Sequence, residues 1–175
     1  MIISIIGRMG VGKSYLTSIL KKKVNMSTNI KFAQPLYDIQ DYVYNRCGLQ
    51  LTMEKDRKLL QIVGTEWGRN KDANLWTNLW KDSVQLAITH KQLVFNDDCR
   101  FLNEAKAVKD MGGVIIKVDG PQRGECVENT RHKSELEIDL IVPDFTIMNW
   151  GDHDELDARV ETVLLPWLKE KGIKL

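Results

Sequence analysis

Apolar residues arrive in short blocks separated by polar turns. The chain opens on "MIISI", an apolar run ended by Gly7, and residues 1–6 are expected to form a buried strand. Leu16, Ile19 and Leu20 recur at helical spacing, predicting a helix over 13–23. "VNMSTN" reads as a turn, and "IKFA" (30–33) as a short strand stopped by Gln34-Pro35. Leu36, Ile39, Tyr42 and Val43 mark a further helix, and a helical stretch covers about 54–63 until "GTEWGR" breaks the pattern. Over 75–90, Leu75, Leu79, Val84, Leu86 and Ile88 lie mostly three or four apart and predict an amphipathic helix. "QLVFN" (92–96) reads as a strand, 101–111 as a helix closed by Gly112-Gly113, and "VIIKV" (114–118) as a buried strand. "FTIM" (145–148) is the last strand. Asp152 and Glu155 have capping-box spacing before a helix faced by Leu156, Val160, Val163 and Leu164, which Pro166 should kink or end. Strands alternating with helices predict a largely parallel sheet covered on both faces, with ligands at the carboxyl ends of the strands. Gly7–Ser14, Gln34, Asp97–Arg100 and Asp119 onward all fall at such ends.

The segment after the first strand, "GRMGVGKSYL", places Gly7, Gly10 and Gly12 in one tight turn. Glycine permits backbone geometry closed to other residues, and a turn opening a helix aims several N–H groups at one point, which suits phosphate. Gly7, Gly12, Lys13 and Ser14 meet the pattern GxxxxGK[ST]. Lys13 can reach the terminal phosphates, and the Ser14 hydroxyl can ligate a metal ion bound to them. The tighter spacing GxxGxGK resembles the ATP-binding loop of nucleoside monophosphate kinases. On that basis Gly7, Met9, Gly10, Val11, Gly12, Lys13, Ser14 and Tyr15 are the expected ATP-binding residues.

The 175 residues suit a single domain with a real core. With 43% hydrophobic and 28% charged residues and a net charge of +1, nothing global points to nucleic acid or an anionic membrane as partner. Cys47, Cys99 and Cys126 are an odd, scattered set, read as reduced thiols of a cytoplasmic protein. No basic leader and no long apolar run argues for a signal peptide or membrane helix.

Two further stretches carry chemistry. "NDDCRFLNEA" places Asp97 and Asp98 at a strand end, where an acid beside a phosphate loop helps hold Mg²⁺, and Arg100 could clamp a phosphate. Equally, one of these acids could cap the following helix. In "LLQIVGTEWGR", Trp67 and Arg69 offer an aromatic face for a base and a cation for a phosphate, or else Trp67 is packed in the core between turn glycines. Residues 119–135, with Gly120, Pro121 and Gly124 as hinges and mostly charged long side chains, read as a mobile lid.

Four segments in order resemble bacteriophage-type deoxynucleoside monophosphate kinases. LQxxGTEWGR is met by Leu60, Gln61, Gly64, Thr65, Glu66, Trp67, Gly68 and Arg69; DxRFxNEA by Asp98, Arg100, Phe101, Asn103, Glu104 and Ala105; HxSE by His132, Ser134 and Glu135; and Asn149-Trp150-Gly151 closes the series. Family loops often read GKDT, whereas here Ser14 follows Lys13 directly, and family members often carry an insert that this chain lacks.

The resemblance implies one P-loop kinase domain over 1–175, a three-layer α/β fold with a mostly parallel five-stranded sheet, an acceptor region about 34–76 and a short lid about 119–135. It implies transfer of the ATP γ-phosphate to a deoxynucleoside monophosphate, with ATP and Mg²⁺ bound. Lys13, Asp98, Arg100, Arg131 and Arg123 would be catalytic. Gln34, Trp67, Arg69, Trp76, Arg100, Lys133 and Glu135 would face the acceptor, and Ser14 and Asp98 the metal. The expected partners are small-molecule nucleotides, with a homodimer compatible, in the cytoplasm (a host's, if phage-encoded). Two alternatives stand beside it: another small-molecule P-loop kinase such as a dephospho-coenzyme A kinase, and an ATP-switched binding module without catalysis.

Overall fold

Five short strands pair edge to edge in the computed structural model, which describes residues 1–51, 55–123 and 137–173. They are β1 (Ile2–Ile6), β2 (Ser27–Asn29), β3 (Leu93–Asn96), β4 (Val114–Asp119) and β5 (Phe145–Met148). The sheet order is β2-β3-β1-β4-β5, and every pairing is parallel. β1 lies in the middle with all five residues buried, as its four isoleucines require of a strand covered on both faces, and the one polar residue among them, Ser4, is buried with a partner, Asn96.

Alternate side chains leave the sheet on opposite sides. Ile3 and Ile5, with Phe95, Ile116 and Val118, pack under α1 (Lys13–Lys22) and the C-terminal helices α6 (His153–Arg159) and α7 (Leu165–Glu170), through Leu16, Leu20, Leu156, Leu164 and Leu168. Ile2 and Ile6, with Val94 and Ile115, pack under α4 (Leu75–Thr89) and α5 (Leu102–Asp110), through Trp80, Val84, Ala105 and Val108. The result is the expected three-layer α/β fold. Of the cysteines, Cys47 and Cys99 are free thiols, and Cys126 lies outside the described residues. Among the described residues no helix is long and apolar enough to cross a membrane.

Four local expectations are corrected. The second strand is Ser27–Asn29, inside the segment read as a turn, and not 30–33. Its ladder runs Ser27↔Leu93 to Asn29↔Phe95. Ile30 and Phe32 drew the strand assignment because they are apolar, yet they plug the core from a loop, where the Phe32 ring stacks on Trp80 at 4.4 Å. On α4 the buried stripe is Trp76, Trp80, Val84 and Ala87, while Leu79 and Leu86 are exposed. The large indoles claim the core face, and the leucines chosen by spacing lie off it.

The other two corrections concern widened helical turns. After α2 (Gln34–Cys47) and α3 (Arg57–Gln61), "GTEWGR" does not break the helix; Ile62–Arg69 continues it as a π-helix. Pro166 does not end the last helix, because Val160–Leu164 is also a π-helix that leads into α7, with the proline in its first turn. A wider turn brings residues four apart into line, so Leu156, Val160, Leu164 and Leu168 are buried and Val163 is exposed.

Candidate active site

All strands being parallel, the segments that follow them meet at one edge of the sheet. The loop between β1 and α1 occupies its centre. Gly7, Gly10 and Gly12 have φ of 146°, 78° and 100°. Space is as restrictive as φ: a Cβ there would lie 2.6 Å from the Val118 carbonyl oxygen, 2.4 Å from that of Arg123 and 2.5 Å from Asn149 Nδ2 respectively. The loop is thus wedged between the ends of β4 and β5. The N-cap of α1 is Gly12, which has no side chain to cap the helix, and a helix start of this kind suits an anion. Lys13 Nζ donates to the Arg8 carbonyl at 2.8 Å, folded along the loop it is expected to serve. Ser14 is exposed on the first turn of α1, Met9 is half-buried and Val11 is buried. The Tyr15 ring stacks on His153, centroids 4.0 Å apart. Arg8 reaches the other way, to Asp139 at 2.7 Å.

At the end of β3, Asn96 is the hub. Its Oδ1 accepts from Ser4 Oγ (3.1 Å) and the Cys99 N–H (3.2 Å), and its Nδ2 donates to the Ile30 carbonyl (2.9 Å) and Asp98 Oδ1 (2.7 Å). Asp98 also accepts the N–H groups of Phe32 and Ala33, both at 2.9 Å, and so ties β3 to the start of α2. Burial pushes its carboxyl up, against the pull of those hydrogen bonds. Oδ2, with one bond, keeps acceptor capacity. Asp97 is buried beside Asn29 Nδ2 (3.2 Å) and Lys31 Nζ (3.6 Å).

Arg69 leaves the π-helix toward α5. Its Nη2 meets Glu104 Oε1 at 2.5 Å, and its guanidinium lies 3.7 Å above the Phe101 ring. Glu104 is only 2% exposed, and its other oxygen accepts the N–H of Arg100 (2.8 Å) and of Phe101 (3.1 Å). One buried carboxylate therefore fixes both the Arg69 side chain and the backbone that carries Arg100. Trp67, on the same turn, is 52% exposed and open to stacking. Trp76 is different: at 3% exposure, with Nε1 donating to the Gly64 carbonyl at 2.8 Å, it is a core residue and not the acceptor contact expected. Gln34 is exposed at the start of α2, where Nε2 donates to Asp38.

The last described residues of the expected lid run alongside the phosphate loop. The Arg123 N–H donates to the Gly10 carbonyl at 3.1 Å, and its guanidinium donates to the carbonyls of Asn149, at 3.2 Å, and Gly151. Both of these bonds come from Nη2, so a role for Arg123 on a transferring phosphoryl group falls to Nη1 and Nε unless they break. Arg131, Lys133 and Glu135, with the rest of HxSE, lie outside the described residues. Two residues matter more than the sequence pattern suggested. Glu104 counted only as a motif letter, and Asn149 only as part of NWG, although Asn149 Nδ2 donates to the Val11 carbonyl at 2.8 Å across 138 residues of sequence. The hint for both was a polar residue expected at a packed position: the first turn of α5 and the end of β5.

No protein-family model matches the chain. A protein of Acanthamoeba polyphaga mimivirus, to which the name deoxynucleotide monophosphate kinase is provisionally attached, is 36% identical over 93 residues, 47% of this chain and 46% of the relative. The match thus spans less than half the length of that relative. Among solved structures, shikimate kinase from Aquifex aeolicus superposes with a TM-score of 0.53 at 17% identity over 99% of both chains. TT1252 from Thermus thermophilus gives 0.57 at 17% identity, covering 95% of this chain and 97% of the other. Shikimate kinase from Acinetobacter baumannii, solved with shikimate, gives 0.53 at 13% identity, covering 97% and 94%. The chain has the fold of shikimate kinase-like P-loop kinases.

Proposed function

We propose that this protein transfers the γ-phosphoryl group of ATP to a deoxynucleoside monophosphate, forming ADP and a deoxynucleoside diphosphate. The observation that carries the reading is the pairing, at one sheet edge, of a glycine-built phosphate loop that opens a helix with a second cationic group, Arg69, held by a buried glutamate. A nucleotide switch needs only the first of these. The name carried by the partial mimivirus relative supports this acceptor class, and the exposed Trp67 beside Arg69 would offer the base a stacking face.

In this reading the loop N–H groups and Lys13 take the ATP phosphates, and Arg69 and Arg100 hold the acceptor phosphate. An oxygen of that phosphate attacks the γ-phosphorus while its bond to the β,γ-bridging oxygen breaks, and ADP leaves with the electron pair. No protein nucleophile or strong base is required, because alignment and charge neutralisation carry the reaction. The exposed Ser14 hydroxyl and the Asp98 carboxylate, whose Oδ2 accepts the Ala33 N–H, would be the oxygen donors for Mg²⁺. When bound, Mg²⁺ neutralises phosphate charge. Arg131 and Lys133 are proposed to add positive charge from the segment after Arg123.

The test is ATP-dependent ADP release with each of the four common deoxynucleoside monophosphates, the matching ribonucleotides, shikimate and dephospho-coenzyme A. At least one deoxynucleoside monophosphate should raise release tenfold or more above the acceptor-free rate. Stimulation by shikimate or dephospho-coenzyme A alone would replace the acceptor assignment. Release that no acceptor changes would replace the kinase reading.

A further inference from the structure

We infer that Asn149 is a positioning residue for the phosphate loop, its carboxamide fixing the Val11 carbonyl so that the loop N–H groups stay aimed at one anion-receiving point. The consequence for ATP rests on the proposed function; the effect on loop shape does not.

Asn149 is itself rigidly placed. Its N–H donates to the Asp119 carbonyl at 2.7 Å, which carries the β4–β5 pairing one step past the strand ends. Its own carbonyl accepts from Arg123 Nη2. Gly120 lies against its backbone so closely that a Cβ there would be 2.3 Å from the Asn149 oxygen. From this anchor the side chain, in a residue only 3% exposed, donates from Nδ2 to the Val11 carbonyl. The same Nδ2 fills the space where a Cβ at residue 12 would stand. Asn149 therefore supports the loop immediately before Lys13 and Ser14.

The other half of the carboxamide shows that stability is not what this asparagine serves. Asn149 Oδ1 is buried with no partner among the described residues. An unpaired buried acceptor destabilises a fold, and an apolar residue in its place would remove that penalty. Rotating the amide would not help, since Oδ1 would then face the Val11 carbonyl oxygen and lose the one bond the group makes. The geometry fits a residue that trades stability for the shape of the loop.

The test compares wild type, Asn149→Ala and Asn149→Asp by three measurements: hydrogen–deuterium exchange of the peptide over 7–16, thermal unfolding, and calorimetric titration with Mg²⁺–ATP. Asn149→Ala should unfold within about 4 °C of wild type, because the Val11 carbonyl it strands replaces the orphaned Oδ1 and the net loss is about one hydrogen bond. Its loop amides should exchange at least tenfold faster, and ATP affinity should fall at least tenfold. Asn149→Asp should bind ATP more weakly still, since an ionised carboxylate cannot donate to Val11 and adds negative charge beside the triphosphate site. Unchanged loop exchange in Asn149→Ala would overturn the inference, as would faster loop exchange matched by a general loss of protection and a large fall in unfolding temperature. A wild-type protein that binds no ATP would overturn the proposed function instead, leaving loop exchange to decide this point.

Discussion

Glu104 is a carboxylate in a place that disfavours charge. Burial raises its pKa, the Arg69 guanidinium and the Arg100 N–H oppose that rise, and the balance leaves it pushed up to about 7 from an ordinary value of 4.5. Between those two values the unfolded chain releases this proton and the folded chain keeps it. Its contribution to stability is therefore complete below 4.5, falls as pH rises, and is lost above about 7. The gap corresponds to up to about 3 kcal/mol. Glu104→Gln has no proton to lose. Its stability, from urea titrations between pH 4.5 and 8, should lie close to wild type at the low end, where both side chains are neutral, and should gain on wild type as pH rises toward 7 and beyond, since only wild type carries a carboxyl whose ionisation burial opposes. A difference that stays constant across this range would mean that Glu104 is ionised throughout. This arrangement was not legible in advance. Arg69 and Glu104 are 35 residues apart, and only the packing of the π-helix against α5 brings them together.

Segments with a strong local pattern were legible; those set by neighbours were not. β1, β3, β4 and β5 appear where their apolar runs predict them: β1, β3 and β4 are inner strands covered on both faces and so mostly apolar, and β5, at the edge, keeps Ile147 buried between exposed neighbours. β2 is polar and short, and only pairing with β3 defines it. "GTEWGR" reads as a break because it holds two glycines, yet those glycines are what the helical turn needs. Gly64 lies under Leu36 of α2, and Gly68 under the Trp76 indole of α4. A Cβ at Gly68 would stand 2.3 Å from that ring, whereas the αL-conformed Gly48 has no atom within 4 Å of its added Cβ. Gly68→Ala should destabilise by about 1–2 kcal/mol net, an overpacking cost at the upper end of the usual 1–3 kcal/mol outweighing the roughly 1 kcal/mol of helix propensity gained. Gly48→Ala should cost about 1 kcal/mol from backbone strain alone. Chemical denaturation of the two variants checks this, and the account of the turn fails if Gly68→Ala is as stable as wild type.

At the scale of the whole molecule, parallel pairing explains how residues from opposite ends of the chain reach one edge. The phosphate loop was legible because its glycines, lysine and serine are contiguous and follow a strand directly. What holds that loop, Asn149 against Val11, was not, because it depends on β5 lying two strands from β1 in a register no local pattern encodes. The likeness to shikimate kinases covers nearly the whole chain at 17% identity or less, so it fixes the fold. The acceptor is argued instead from Arg69, Trp67 and the partial viral relative. The reaction proposed is phosphoryl transfer between two substrates, neither hydrolysis nor a nucleotide switch. Phosphorus NMR of a reaction holding the protein, Mg²⁺–ATP and the best deoxynucleoside monophosphate tests it most directly. The account predicts that the ATP γ-signal falls as the signals of ADP and the deoxynucleoside diphosphate rise one for one, with little inorganic phosphate and none of this in Lys13→Ala. Inorganic phosphate as the main product, or an unchanged ATP spectrum with the wild-type protein, would contradict it.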